Sequence, residues 1–532
     1  MSPHGPAATV SPAAPAPGLP ALAFDAPNAG LQRLVAYGCP ANASRQGLLH
    51  VRDGAQARRW LGQVLALGWL SLAAPGSHEL PVDDSGQVLG AASGGGAGGA
   101  GGSERRDTVT LSLGLSQRGL QALGLAPPLL TVLRELAPAF AQGAALRAAR
   151  ALGDTGDSAS PLWAQGFEAG RALLLVTLHA DEPAALCSRW AVLRQLDGAS
   201  GLTGWDDAVH DAAHLTPAPR RQVHFGYRDG MSNPRIAGLH RATGSASAPV
   251  PGHATGEMLL GYPTDDGNNP WWLGGQPLAA GFFRNASFGA LRKVAQNEPA
   301  FRAFVGRSAC EQGVDRAWIM AKLCGRWPDG QLIIPDGVAA PAGALPDSLL
   351  ADGSRPPPFS FAHDPRGEGC PFGAHIRRMN PRDDGLAQRR QRPLMRRGMP
   401  YGPAYDIEPD AARGLLGLFF CASLEDQFEH LLGEWVNKNP MGPDNRGQAK
   451  DPLIGQHDQP ASTLHLPATA PAAARRLGGF TPFVTTLGTA YLLFLSAPAL
   501  QALADGLAGV VIAPTGTKTP ALRCARKHSV NP

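Results

Sequence analysis

Residues 366–382 read RGEGCPFGAHIRRMNPR. Cys370-Pro371 and Gly373 predict a tight bend that presents His375 just beyond it. Arg366, Arg377, Arg378, Arg382 and, slightly further on, Arg389 crowd this histidine. Arginines beside a neutral imidazole disfavour its protonation, which keeps a lone pair free for a metal. Their guanidinium forks also suit the carboxylates of a bound ligand. The same residues equally describe a loop histidine inside a solvated basic patch.

A carboxylate that could move protons stands in HFGYRDGMSNPR (224–235), where Gly226 and Gly230 bracket Asp229. Glycines there let the backbone take positive φ or pass close to a flat ligand. Asp229 could also simply bond its own backbone in a turn. A third segment, RRGMPYG (396–402), closes a stretch with eight arginines between 377 and 397. That stretch is broken by Asp383 and Asp384 and lacks interleaved aromatics, so nucleic-acid binding is not expected. His210 and His214 have helical i, i+4 spacing, which fits a solvent-facing helix better than a metal site.

The chain that must position these groups has 532 residues, too many for one ordinary domain. Hydrophobic residues make up 44% and aromatics 6%, enough for a sizeable core, while 66 Gly and 49 Pro predict many loops. A net charge of +4 gives no reason to invoke nucleic acid or an acidic membrane surface. The seven cysteines include no C-x-x-C pair, which excludes a zinc knuckle and a covalently attached c-type haem. Reduced thiols point to the cytoplasm. The N-terminus lacks the early basic cluster and the unbroken apolar run of a signal peptide. No stretch reaches the roughly 18 apolar residues of a membrane helix.

Residues 1–42 are Ala/Pro-rich and expected to be a disordered tail, and 521–532 a second tail. Residues 84–106 are a Gly/Ser-rich insert. Strands are expected at 46–52, 108–114 and 172–180, and helices at 55–68, 116–124, 127–152 and 182–196. The second half repeats the theme: HFGYRDG should end a strand, 413–423 is a strand and 424–437 a helix. Residues 483–496 give one or two strands, and 497–507 a closing helix. This suggests an α+β chain with helices on one face of mostly antiparallel sheet, in units at 43–215 and 216–520. No internal repeat shows as identical residues.

Taken together, GYRDG, CPFGAHIRRMNPRD and RRGMPYG resemble the dye-decolorising peroxidase family in order and spacing. GEMLLGYPTDDGN (256–268), LEDQFEHLLGEWVN (424–437) and KDPLIGQ (450–456) agree with it. The likeness runs from about 150 to 500 and is closest to the larger bacterial and fungal-like members. It implies two ferredoxin-like units with antiparallel sheets, as in dimeric α+β barrels, with one haem b per chain held in the C-terminal unit. His375 matches the family's proximal iron ligand and Asp229 its distal aspartate. Arg396 matches the distal arginine, and Arg382 an arginine on a haem propionate. Asp451 matches the acid that accepts the proximal histidine's N–H, with Glu425 and Asp426 as rivals.

The resemblance implies a peroxidase that reduces hydrogen peroxide to water. Through a ferryl intermediate it would oxidise dyes, phenolics or other small one-electron donors. A carboxylate base stays ionised in mildly acid solution, so the optimum is expected on the acid side of neutral. Trp271, Trp272 and Tyr401 are candidates to relay electrons from bulky donors. Two residues depart from the pattern: Gly417, where the family often carries Phe, implies a roomier pocket, and Gly398 replaces an occasional Asn. The alternative is a haem-handling protein without turnover, which would need His375 but neither Asp229 nor Arg396.

Overall fold

The computed structural model describes residues 30–38, 41–73, 80–82, 109–198, 201–216, 221–229, 233–237, 239–242, 252–271, 277–331, 333, 361, 364–382, 384, 391–438, 450–457, 462–468 and 474–507. The insert 84–106, the tail 521–532, Trp272 and Arg389 lie outside them.

Among the described residues the strands are β1 (Ala43–Val51), β2 (Leu80–Val82), β3 (Thr110–Leu115), β4 (Leu173–Ala180), β5 (Leu202–Thr203), β6 (Val209–Ala213), β7 (His240–Ala242), β8 (Ser287–Gln296), β9 (Met395–Tyr401), β10 (Gly414–Cys421), β11 (Leu464–Leu466), β12 (Arg475–Leu477) and β13 (Val484–Phe494). Nine of them form one antiparallel sheet in the order β5-β1-β4-β3-β13-β8-β10-β9, with β6 also on β1. The fold is therefore α+β around a large antiparallel sheet.

The strand order carries a repeat that residue identities hide. In the first half β6-β1-β4-β3 is the fourth, first, third and second strand of a β-α-β-β-α-β run. In the second half β13-β8-β10-β9 repeats the same permutation. Both are ferredoxin-like. The two meet where Leu115 of β3 pairs with Leu493 of β13, and at the far ends β6 comes beside β9. Strand β4 is buried along its whole length, as a strand covered on both faces must be.

Helices cross between strands, and their caps are written locally. Asp53 accepts hydrogen bonds from the Ala55 and Gln56 amides to start Gly54–Ala66, and Ser116 accepts from Gly119 to start Gln117–Ala122. The segment expected to be one helix at 424–437 is helical but wound with wide i→i+5 turns, over Leu424–Glu429 and Leu431–Val436. Such turns are rare and often mark functional sites.

Three expectations need correction. Residues 30–38 are folded: Arg33–Ala36 is a short helix, and the buried Gln32 side chain donates to the Leu113 and Leu495 carbonyls. It thereby bridges the seam between β3 and β13, a task its Ala/Pro-rich surroundings concealed. His210 lies in strand β6, not a helix, and is buried. A spacing of four keeps two residues on one face of a strand as well as a helix, so it could not discriminate. Residues 221–229 form a loop closed by the Gln222–Arg228 bridge, not a strand end. Among the described residues no helix is long and apolar enough to cross a membrane.

Candidate active site around His375 and Asp229

His375 opens the helix His375–Met379, and the loop before it is fixed by buried charges. Asp364 accepts from the Gly369 and Cys370 amides at 3.2 and 2.7 Å. Arg377, fully buried, donates to Asp384 (2.6 Å), Asp364 (3.1 Å) and the Cys370 carbonyl (2.8 Å). Its guanidinium lies between the rings of Phe361 and Phe372, 4.4 and 4.3 Å from their centroids. Arg378 is also buried and donates to the Trp435 and Lys438 carbonyls at 2.6 and 3.0 Å. Burial pulls its pKa down to about 10, with Asp451 opposing. Two of the arginines that looked like ligand forks thus bind the protein itself. Arg366 is exposed and pairs with Glu368.

Behind the imidazole stands Asp451. Its Oδ2 lies 2.9 Å from His375 Nδ1, and its Oδ1 accepts from the Leu453 and Ile454 amides at 2.9 and 3.1 Å. Burial alone would raise this carboxyl's pKa. The charge and hydrogen bond of His375, then Arg378 and the Leu453 amide, outweigh it and hold the carboxyl below its ordinary value. An ionised carboxylate only accepts, so Nδ1 donates the proton between the two groups, and Nε2 is the ring nitrogen that this contact leaves for another partner. The His375 side chain is 24% exposed and Asp451 fully buried. Of the rivals for this contact, Glu425 accepts from the Ala139 amide, and the Asp426 amide donates to the Ser423 hydroxyl that caps the 424–429 turn.

Asp229, half-buried, ends the loop that begins at Arg221, whose carbonyl accepts the Asp229 amide at 3.0 Å. Gly226 adopts φ +81, the left-handed conformation that this tight loop needs and that glycine tolerates. The loop is anchored by Tyr227, whose hydroxyl donates to the Met320 carbonyl at 2.8 Å. Two residues on, Lys322 donates to the Glu368 and Gly369 carbonyls at 2.7 Å each. One helix, Arg316–Cys324, therefore holds both the Asp229 loop and the His375 loop. Sequence reasoning missed Tyr227 and Lys322, since neither carries a chemical signature outside its contacts.

Arg396 lies on β9, and its amide donates to Asn233 Oδ1 at 2.9 Å. The segment that carries Asp229 is thereby docked on β9 beside Arg396. Gly398 faces Gly417 across β9 and β10, and a Cβ at Gly398 would meet nothing closer than 3.8 Å. This bare patch beside Arg396 lets a flat group approach the backbone, which fits a porphyrin. At Gly417 the expected extra room is filled: a Cβ there would strike the Phe419 ring at 2.7 Å. Arg382 takes φ +49 and lies over Phe361, its guanidinium carbon 5.8 Å from the ring centroid.

No family model matches the chain. It is 28% identical over 401 residues to the dye-decolorizing peroxidase msp1 of Mycetinis scorodonius, covering 70% of this chain and 69% of that one. It is 24% identical to an ancestral D-type dye-decolorizing peroxidase structure, covering 90% of this chain and 98% of that one, with a TM-score of 0.67. A dye-decolorizing peroxidase solved with 2,6-dimethoxyphenol is 23% identical over 89% of this chain and 98% of that one, with a TM-score of 0.63. In sequence the chain is thus similar to dye-decolorizing peroxidases, and it shares their α+β fold.

Proposed function

We propose that this chain is a b-type haem peroxidase in which His375 Nε2 is the proximal iron ligand. The observation that carries the proposal is the His375–Asp451 contact at 2.9 Å, which engages Nδ1 and leaves Nε2 as the ring nitrogen to meet the iron. Metal-bound histidines are commonly oriented by such a partner, which raises the basicity of the ligand. Bound haem would supply the iron that receives peroxide and the oxidising equivalents that donors later discharge. Arg382 would bind a propionate.

Asp229 is the proton carrier: a carboxylate oxygen takes the proton from one peroxide oxygen and returns it to the oxygen that leaves as water. Arg396 sets a fixed positive charge where negative charge grows as the O–O bond breaks. Asn233 supports this pairing because it ties the Asp229 segment to the Arg396 amide. The division into units at 43–215 and 216–520 belongs to the same reading, supported by the repeated strand order. So does a cytoplasmic location, supported by the free thiols of Cys187, Cys310, Cys324, Cys370 and Cys421.

The test is the absorption spectrum of haem-loaded protein before and after one equivalent of hydrogen peroxide, repeated for His375→Ala. A Soret band that shifts with peroxide, and is lost or displaced in the variant, is expected. A Soret band indifferent to peroxide would instead favour a haem-handling protein.

A further inference from the structure

A carboxylate that must meet one ring nitrogen at hydrogen-bond distance needs its own backbone held as well as its oxygens. Every polar atom of Asp451 is engaged. Its amide donates to the Val436 carbonyl at 2.7 Å, its Oδ1 accepts from the Leu453 and Ile454 amides, and its Oδ2 meets His375. Its carbonyl accepts from the Gly455 amide at 3.0 Å and from the ring of His457, whose Nε2 lies at 2.8 Å. One aspartate thus stands between two histidines. His375 takes its side chain, and His457, six residues further on, takes its main chain.

The ring of His457 is suited to hold that carbonyl. A carbonyl oxygen only accepts, so Nε2 carries the proton. Burial above all lowers the His457 pKa from 6.5 to about 4, although its bond to Asp451 opposes the shift. The ring is therefore a neutral donor at physiological pH. It lies nearly flat on Phe480, with centroids 5.0 Å apart and planes 22° apart, and Phe480 packs on Phe304 at 4.6 Å. This stacking fixes the ring plane and with it the direction of Nε2. Packing alone does not call for a histidine here. Its Nδ1 is buried with no hydrogen-bond partner among the described residues, which is unfavourable. A phenylalanine would fill the slot without that penalty, so the Nε2 contact is what distinguishes histidine at this position.

The rest of the loop is pinned elsewhere. The Gln456 amide donates to Asn437 Oδ1 at 2.9 Å, and Asn437 Nδ2 donates to the Leu152 carbonyl at 3.1 Å. Lys450 donates to the Gln456 carbonyl. The peptide that joins Asp451 to Pro452 is different, because proline has no N–H. Hydrogen bonds can hold that peptide only through the Asp451 carbonyl, the group that His457 binds.

We propose that His457 is a positioning residue of the proximal site: by holding the Asp451 carbonyl it sets the angle at which the carboxylate meets His375 Nδ1, and so the basicity of the imidazole toward iron. The proposal rests on the reading of His375 as the haem ligand, and His457 acts only through Asp451. Without its contact the Asp451 peptide is freer to tilt, the hydrogen bond to His375 weakens, and the imidazole gives less electron density to the iron.

The test uses haem-loaded protein and three readouts: the iron–histidine stretching frequency of the ferrous form by resonance Raman, the reduction potential, and the stopped-flow rate with peroxide. His457→Phe keeps a ring on Phe480 and removes the donor. It is expected to retain the Soret band, lower the stretching frequency, raise the potential and slow the peroxide reaction by about tenfold, the low end for a partner outside the ligand itself. His457→Gln, whose amide nitrogen falls close to the place of Nε2, should return all three toward wild type. His457→Asn, whose shorter amide stops short of the carbonyl, replaces the phenylalanine variant if that does not fold. In an Asp451→Ala background, His457→Phe should shift the frequency no further. An unchanged frequency and potential in the variant that lacks the donor overturns the positioning role, and so does an equal shift in the Asp451→Ala background. A wild-type ferrous protein without an iron–histidine band overturns the reading of His375 as the ligand instead.

Discussion

His375 and Asp451 are 76 residues apart in sequence and 2.9 Å apart in space, ring nitrogen to carboxylate. The carboxylate is bound by two amides and attracted by Arg378, so it does not need to move to serve the histidine. Asp451→Asn keeps the shape and removes the charge. It should weaken the electron supply from His375, raise the reduction potential of the bound iron, and slow the peroxide reaction by about 10–100-fold. Spectroelectrochemical titration of the variant checks this, and an unmoved potential would count against the pairing. Because the Asp451 pKa is depressed, its contribution to stability is present above the ordinary carboxylate range and is lost as pH falls below it.

Asp229 and Arg396 should fail in different ways. Asp229→Asn removes the group that takes and returns a proton, and should slow the peroxide reaction by roughly 10²–10⁴-fold. Arg396→Leu removes a fixed charge and should cost about 10²–10³-fold. Asn233 accepts from the Arg396 backbone amide, which Arg396→Leu keeps, so this tie to the Asp229 loop should survive the substitution. Stopped-flow rates with peroxide measure both. An undiminished rate in Asp229→Asn would remove it from the mechanism.

CPFGAHIRRMNPR and GYRDG pointed to His375 and Asp229 only through a family resemblance, since their residue types alone fit a basic loop and a plain turn; the structure adds the Asp451 carboxylate 2.9 Å from His375. The framework was legible element by element, since apolar periodicity marked β1, β4 and β10. Contact-borne roles were not legible. Nothing in the residue type shows that Lys322 ties down the Glu368 and Gly369 carbonyls, or that Gln32 bridges β3 and β13. The repeat was expected as a recurring strand–helix theme and, through the resemblance, as two ferredoxin-like units; it did not show as identical residues because topology constrains burial and direction, which many different residues satisfy. The Phe419 ring over Gly417 was invisible because a glycine announces space without saying what fills it.

Arg377 and Arg366 flank the same histidine and should differ sharply when removed. Arg377 is fully buried, pairs with Asp364 and Asp384, and stacks between two phenylalanines. Arg377→Ala would remove a guanidinium that two buried carboxylates share, a loss of about 3–5 kcal/mol. Haem binding would then fall because the loop before His375 loosens. Arg366, whose side chain is 78% exposed beside Glu368, contributes ~0–1 kcal/mol, and Arg366→Ala should be nearly silent. Urea unfolding of the two variants compares them. Equal losses would mean that the guanidinium of Arg377 is not holding this loop.

Acid sets a limit that the mechanism alone would not. His179 and His210 are buried, and burial above all lowers their pKa from 6.5 to about 4. Arg397 and then His214 add to the effect at His179, and Lys293 adds to it at His210. In the unfolded chain both take up protons near pH 6.5, whereas the fold refuses them until about 4. Stability is therefore complete above pH 6.5 and drains away as pH falls through that window, by up to roughly 3 kcal/mol per histidine. A carboxylate proton carrier keeps working in the same acid range, so the enzyme should react with peroxide at pH values where its fold is already weakening. Brief assays should then show an acid optimum that prolonged incubation moves toward neutral. His179→Asn should flatten the decline in unfolding free energy measured between pH 7 and 4.5. An unfolding free energy in the wild type that stays constant across that interval would refute the role given to these histidines.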